Sequence, residues 1–174
     1  GLEAENVMLG WKANKASDLQ CDTLDVINSI LYNGHAGMFD LNLNQNMKVQ
    51  YAATGFENLN DYSELLLQGG PKEGQKLEDV RALMLEQIEK LKKGEFSDDL
   101  IPSVINNMKL RYYTSLQNNK DRADKFVDSF INGIDWKDQV EKLDRISKLT
   151  KKDIVDFANK FFGNNYACVY KRIG

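Results

Sequence analysis

Apolar residues recur along this chain with two spacings, and the switches between them lay out the expected elements. Val7-Met8-Leu9-Gly10-Trp11 is a short unbroken apolar run, which suits a strand covered on both faces. After Ser17 or Asp18, either of which can cap a helix, Leu24, Ile27, Ile30 and Leu31 share one helical stripe that ends at Asn33-Gly34. Met38, Phe39, Leu41 and Leu43 suggest a short second helix, although their alternation with Asp40, Asn42 and Asn44 also fits a strand. Met47 to Phe56 carries β-branched and aromatic residues, and Tyr62 to Leu67 repeats the pattern after an Asn/Asp turn, so the two should pair antiparallel.

From Leu77 the period lengthens. Leu77, Val80, Met84, Ile88 and Leu91 give one apolar face, with Glu78, Arg81, Glu89 and Lys92 pointing away, and Gly94 stops the helix. Ser97 is placed to cap the next helix, with Asp98 and Asp99 favourable to its dipole and Leu100, Val104 and Met108 continuing the stripe; Pro102 is tolerable because it falls in the early turns. Phe126, Val127, Phe130 and Ile131 mark a helix, and Val140, Leu143 and Ile146 mark a further one after Trp136. Thr150 to Asp153 reads as a capping box with Asp in place of the preferred Glu, ahead of Ile154, Phe157, Ala158 and Phe161. Tyr166 to Arg172 reads as a closing strand.

No repeat, low-complexity tract or Pro/Ser-rich linker interrupts this order, so residues 1–174 form one expected domain. The fold class is α+β: an antiparallel sheet of three to four strands with helices packed on one face around a ferredoxin-like core, in the order β-α-α-β-β-α-α-α-α-β. The stripe residues, Trp11, Trp136 and the Phe161-Phe162 pair read as core rather than ligand contacts.

Composition then narrows the function classes. The apolar fraction of 42 % can fill the core of a 174-residue domain, which argues against disorder. With 23 basic and 26 acidic residues and no long block of like charge, the chain lacks the basic patch of nucleic-acid or anionic-lipid binders, so neither is an expected partner. No run reaches the roughly 18 to 20 apolar residues that span a bilayer, so no membrane association and a soluble segment are expected. The Gly1-Leu2 start reads as an excised piece of a longer multidomain chain. Two cysteines, Cys21 and Cys168, could form at most one bridge, which leaves the compartment open.

His35 is the only histidine, so this chain alone cannot assemble a two-histidine zinc site. A zinc ion would need His35, one cysteine and a carboxylate, and a nucleophilic triad would need His35 as base without a Gly-x-Ser-x-Gly elbow. The plainer reading is a loop histidine. Gly69-Gly70-Pro71 and Gly74 match neither dinucleotide nor P-loop patterns and read as turn formers, while Glu95, Asp98 and Asp99 lack the alternating donors of a calcium loop. Arg111-Tyr112-Tyr113 is the one cluster suited to a peptide-binding wall, although a basic-aromatic face packed on a neighbouring domain fits equally. No catalytic and no metal-binding residue is assigned.

The order and spacing of several segments resemble a repeat domain of the insulinase/pitrilysin-like zinc metallopeptidases. They are the helix from Asp18 to Leu31 with Asn33-Gly34-His35-Ala36-Gly37-Met38-Phe39, the turn Gly69-Gly70-Pro71-Lys72-Glu73-Gly74-Gln75, the link Lys90 to Leu100, and the end from Leu149 through Phe161-Phe162 to Tyr170. In that family an inverted His-x-x-Glu-His motif carries zinc and the general base, and this chain has none of it. The resemblance therefore implies a non-catalytic repeat domain over residues 1–174. Such a domain would need no cofactor of its own; zinc would sit in a catalytic domain of the same polypeptide, its partner, and together they would enclose a peptide substrate.

Some non-catalytic domains of the family grip substrate with an arginine just after the small-helix leucine and a tyrosine seven residues on. Aligned on Leu41, those positions here are Asn42 and Val49, which implies a second domain of a catalytic half rather than the gripping domain. The compartment is not assigned; for a bacterial protein, periplasm and cytoplasm are both open. A stand-alone ferredoxin-like interaction domain, binding through a sheet edge or an apolar helix face, is the alternative.

Overall fold

A computed structural model describes residues 4–173; the Gly1-Leu2 start lies outside the described residues. The elements are β1 (Asn6–Ala13), α1 (Gln20–Leu31), a short π-helical turn (Asp40–Asn44), β2 (Tyr51–Asn58), β3 (Ser63–Gly70), α2 (Leu77–Lys93), α3 (Leu100–Ser115), α4 (Asn119–Ile131), α5 (Trp136–Ile146), α6 (Lys151–Phe161) and β4 (Ala167–Lys171). The fold is α+β with one four-stranded antiparallel sheet in the order β2-β3-β1-β4. Five helices separate β3 from β4, where the expected order held four. Each of the five apolar stripes is its own helix, because Gly133 takes a positive φ of 61° and Asp135 accepts the Lys137 N–H to start α5 afresh.

The register explains the one-sided core. Leu9 lies opposite Leu67 and Trp11 opposite Leu65, and with Val7 and Ala52 these side chains are buried on one face, where α1 and α2 cover them. Burying Val7, Leu9, Leu65 or Leu67 contributes about 1.5–3 kcal/mol each. On the other face Met8, Gly10 and Leu66 are only half-buried and Lys12 is exposed, so the expectation that both faces of the first strand are covered is corrected. Trp11 closes one end of the core: its Nε1–H donates to Gly163 O at 3.2 Å, and its ring meets Phe162 edge-on at 5.3 Å.

Helix α2 presents Leu77, Val80, Met84, Ile88 and Leu91 to the core, as its spacing predicts. It ends where Gly94 adopts φ 72°, a left-handed conformation that glycine takes without steric cost. Arg81 does not point away as expected; it leans over to donate to Tyr166 Oη. Helix α3 begins at Leu100 rather than at Ser97, whose Oγ accepts the Asp99 N–H, and it buries Ile101 and Ile105 beside Val104. At α6 the capping box forms as read: Thr150 Oγ1 accepts the Asp153 N–H at 3.2 Å, and Asp153 Oδ2 accepts the Thr150 N–H at 2.8 Å.

Three further expectations change. Gly69 and Gly70 are not turn residues but the end of β3, where a Cβ on Gly69 would come within 2.7 Å of Val80 Cγ1 and one on Gly70 within 2.3 Å of the Tyr51 ring. Their missing side chains let α2 and Tyr51 close on the strand. Strand β2 begins at Tyr51 instead of Met47, because Met47 sits at φ 48° in a turn. Finally, the α4 stripe is not core: Phe126, Val127, Phe130 and Ile131 are exposed, Phe130 to 88 %, and Trp136 is 40 % exposed with its ring stacked on Phe126 at 4.1 Å. Periodicity marks an amphipathic helix but does not say what covers its apolar side.

Candidate functional site

The last turns of helix α3 form one wall of a cleft with α1, α4 and α5. The cleft measures about 390 Å³ and is lined by Asp25 and Ser29 of α1, Met108, Arg111, Tyr112 and Ser115 of α3, Lys125 of α4, and Gln139, Lys142 and Leu143 of α5. Of the cluster singled out in the sequence, Arg111 and Tyr112 reach this cleft, and Tyr113, 59 % exposed one position on, does not line it. The two tyrosine rings still meet edge-on at 5.8 Å. Lys125 lies over the Tyr112 ring with its ammonium 4.9 Å from the centroid, and Ser115 Oγ donates to Tyr112 O at 2.7 Å.

Ion pairs between α1 and α5 tie these two helices together beside the cleft. Lys142 Nζ donates to Asp25 at 2.7 Å and stands 3.8 Å from Asp22, while Arg145 Nε and Nη2 both reach Asp22 Oδ2, at 2.9 and 2.8 Å. Arg145 also donates to Asp138 O at 2.6 Å, which fixes its plane. Burial pushes the Asp22 carboxyl above its ordinary value, against the opposing pull of Lys142 and Arg145. Burial alone would lower Lys142, but Asp25 and then Asp22 overcome it and raise its ammonium.

A second, smaller hollow of about 130 Å³ adjoins the first and shares Ser29, Met108 and Arg111 with it. Its far side is the corner between α1 and the π-helical turn, which Asp40 holds together. Asp40 Oδ2 is buried and accepts the N–H groups of Asn33, Gly34 and Gly37 at 3.0, 3.1 and 2.9 Å, while Asn33 Oδ1 accepts those of His35 and Ala36. His35 is thus an exposed loop histidine lining this hollow. Asn42, half-buried, donates to the buried Gln87 at 2.7 Å, and Val49 is buried.

The residues present do not fit a zinc ion. No group of three or more His, Cys, Asp or Glu side chains is placed to hold a metal among the described residues. Cys21 is buried, and its thiol, raised chiefly by burial, lies within hydrogen-bond reach of the Asn14 and Lys15 carbonyls and of Ser63 Oγ. No described helix is long and apolar enough to cross a membrane.

This architecture, a four-stranded antiparallel sheet backed by helices, matches the folds of solved peptidase inactive domains. The chain belongs to the peptidase M16 inactive-domain family, whose profile matches residues 1–108. No curated protein matches it. Among solved structures, a protease from Helicobacter pylori superposes with a TM-score of 0.91 at 24 % identity, over 98 % of this chain and 41 % of that one. This chain therefore spans under half of that protease. The inactive peptidase domain of a proposed zinc protease from Bordetella parapertussis superposes at 0.86 with 12 % identity, covering 100 % of this chain and 93 % of that one. A periplasmic protease from Escherichia coli gives 0.70 at 13 % identity, over 93 % of this chain and 18 % of that one.

Ser29, Lys125 and Lys142 escaped the sequence reading. They lie on α1, α4 and α5, and no spacing within a few turns links them to Arg111.

Proposed function

We propose that this chain, as a single domain, is a zinc-site-lacking part of a zinc metalloendopeptidase and helps to enclose the peptide substrate beside a catalytic domain of the same polypeptide. Zinc would be held by that partner, and the chain by itself would not hydrolyse peptides. The observation that carries this reading is the uncovered apolar side of α4, where Phe126, Val127, Phe130 and Ile131 face water on a domain whose family is defined as inactive. Contiguous exposed apolar surface of this kind marks an interaction site. Arg111 and Tyr112, with Tyr113 at the rim, would form part of the wall facing the peptide.

The test combines this chain with the segment of its parent protein that carries the inverted zinc motif. Peptide cleavage should need both pieces and zinc, and Phe130→Asp should reduce their association. Cleavage by the 174-residue chain alone, or unchanged cleavage when it is left out, would sink the reading. In the parent enzyme, alanine at Arg111, Tyr112 and Tyr113 together should raise KM; an unchanged KM would remove the wall assignment and leave the domain role standing.

A further inference from the structure

The charges in the α1/α3/α4/α5 cleft do not balance. Lys142 is matched by Asp25 at 2.7 Å, but the exposed Arg111 side chain makes no hydrogen bond or ion pair among the described residues, and the Lys125 ammonium meets only the face of the Tyr112 ring. Two cations thus line one hollow with no anion assigned to them, in a protein whose net charge is -3. The general field of such a protein repels anions, so attraction here must be local. The fork of Arg111 offers paired donors to a carboxylate, Lys125 adds a point charge, and the Ser29 hydroxyl lies on the facing helix. The hollow is about 390 Å³, within the ordinary range for a ligand site. The adjoining hollow shares Ser29, Met108 and Arg111 with this one and reaches Asn33 at the α1 corner, and two neighbouring hollows suit an extended chain better than a compact ion.

We infer that this cleft binds an acidic peptide segment, with a glutamate or aspartate carboxylate bridging Arg111 and Lys125. That such a segment belongs to the substrate rests on the chamber reading above; the binding itself does not. The probe is a fluorescein-labelled oligoglutamate peptide added to the 174-residue chain at low ionic strength, with binding read by fluorescence anisotropy. Oligoglutamine and oligolysine peptides of the same length are the comparison. Oligoglutamate should bind and the others should not. Arg111→Gln with Lys125→Gln should weaken it about tenfold or more, as expected for loss of charge-assisted contacts. Lys120→Gln with Lys137→Gln, the same change of charge on residues that do not line the cleft, should leave it within about twofold.

Circular dichroism of both double variants shows whether each is folded, and Arg111→Lys supplies a milder variant that keeps the charge but loses the fork. Equal weakening by both double variants, or binding of all three peptides alike, overturns the inference. So does displacement of oligoglutamate by millimolar phosphate but not by acetate, which would assign the cleft to phosphate groups. Binding by the isolated chain with no change of KM in the parent enzyme would keep the cleft and discard its place in the substrate path.

Discussion

The sheet end of the molecule and the α4–α5 limb obey opposite rules. At the sheet end, Val7, Leu9, Leu65, Leu67, Ile27 and Val80 are wholly buried between one face of the sheet and the helices that cover it. In the limb, α4 buries only Ser129 and α5 only Ile146, and the limb is fastened to α1 by the ion pairs of Lys142 and Arg145 with Asp22 and Asp25. Apolar burial makes the first region self-sufficient. The second is held by charge together with the buried Ile146 and the half-buried Leu143, and it leaves the apolar side of α4 open.

The contrast can be broken from either side. The largest effect is expected at the sheet: Leu67→Ala should cost about 2–5 kcal/mol in urea unfolding, because the site is fully buried between strand and helices. Arg145→Leu should come next, at about 1–3 kcal/mol, since Asp22 loses its fork of donors while remaining partly buried. Its signature should be regional, with faster amide exchange in α5 and little change in β1 and β3. Thr150→Ala should cost about 1 kcal/mol by removing half of the α6 capping box. The smallest effect belongs to Phe130→Ser, within about 0.5 kcal/mol, because an 88 % exposed ring contributes little to the isolated chain.

Two carboxylates sharpen the same contrast through pH. Hydrogen bonds from the Thr150 side chain and backbone pull Asp153 below the ordinary 3.8, whereas burial pushes Asp22 above it. The signs differ accordingly. The contribution of Asp153 is present above pH 3.8 and is lost as pH falls through its depressed folded value; ionised Asp22 opposes folding, and that opposition fades as pH falls through its raised value. Carboxyl-carbon NMR titration should place the Asp22 midpoint above that of Asp153, and Thr150→Ala should return Asp153 towards the ordinary value. A reversed order would show that Lys142 and Arg145 outweigh burial at Asp22.

Features governed by nearby residues were legible in the sequence. The Thr150–Asp153 box, the stop at Gly94 and the inward faces of α1 and α2 all follow from spacings within one or two turns. What depended on packing between distant segments was not. The stripe of α4 has the right period, yet nothing local says that no partner covers it, and Trp136 followed the same error. Gly69 and Gly70 read as a turn because their actual constraint, the approach of Val80 and Tyr51, comes from elsewhere in the chain. The cleft at Arg111 was half visible: the cluster on α3 could be named, but Ser29 and Lys125 needed the tertiary fold to bring them opposite.

The corner around Asp40 also governs how this protein ages. Asn33-Gly34 is the kind of step at which an asparagine loses ammonia, because the following glycine nitrogen attacks the side-chain carbonyl and closes a succinimide ring. Here the Gly34 nitrogen is engaged with Asp40, and the Asn33 amide is held by Ser29 O on one side and the His35 and Ala36 N–H groups on the other. The attacking and attacked atoms are each detained, so deamidation at Asn33 becomes a slow chemical clock that runs only while this corner is open.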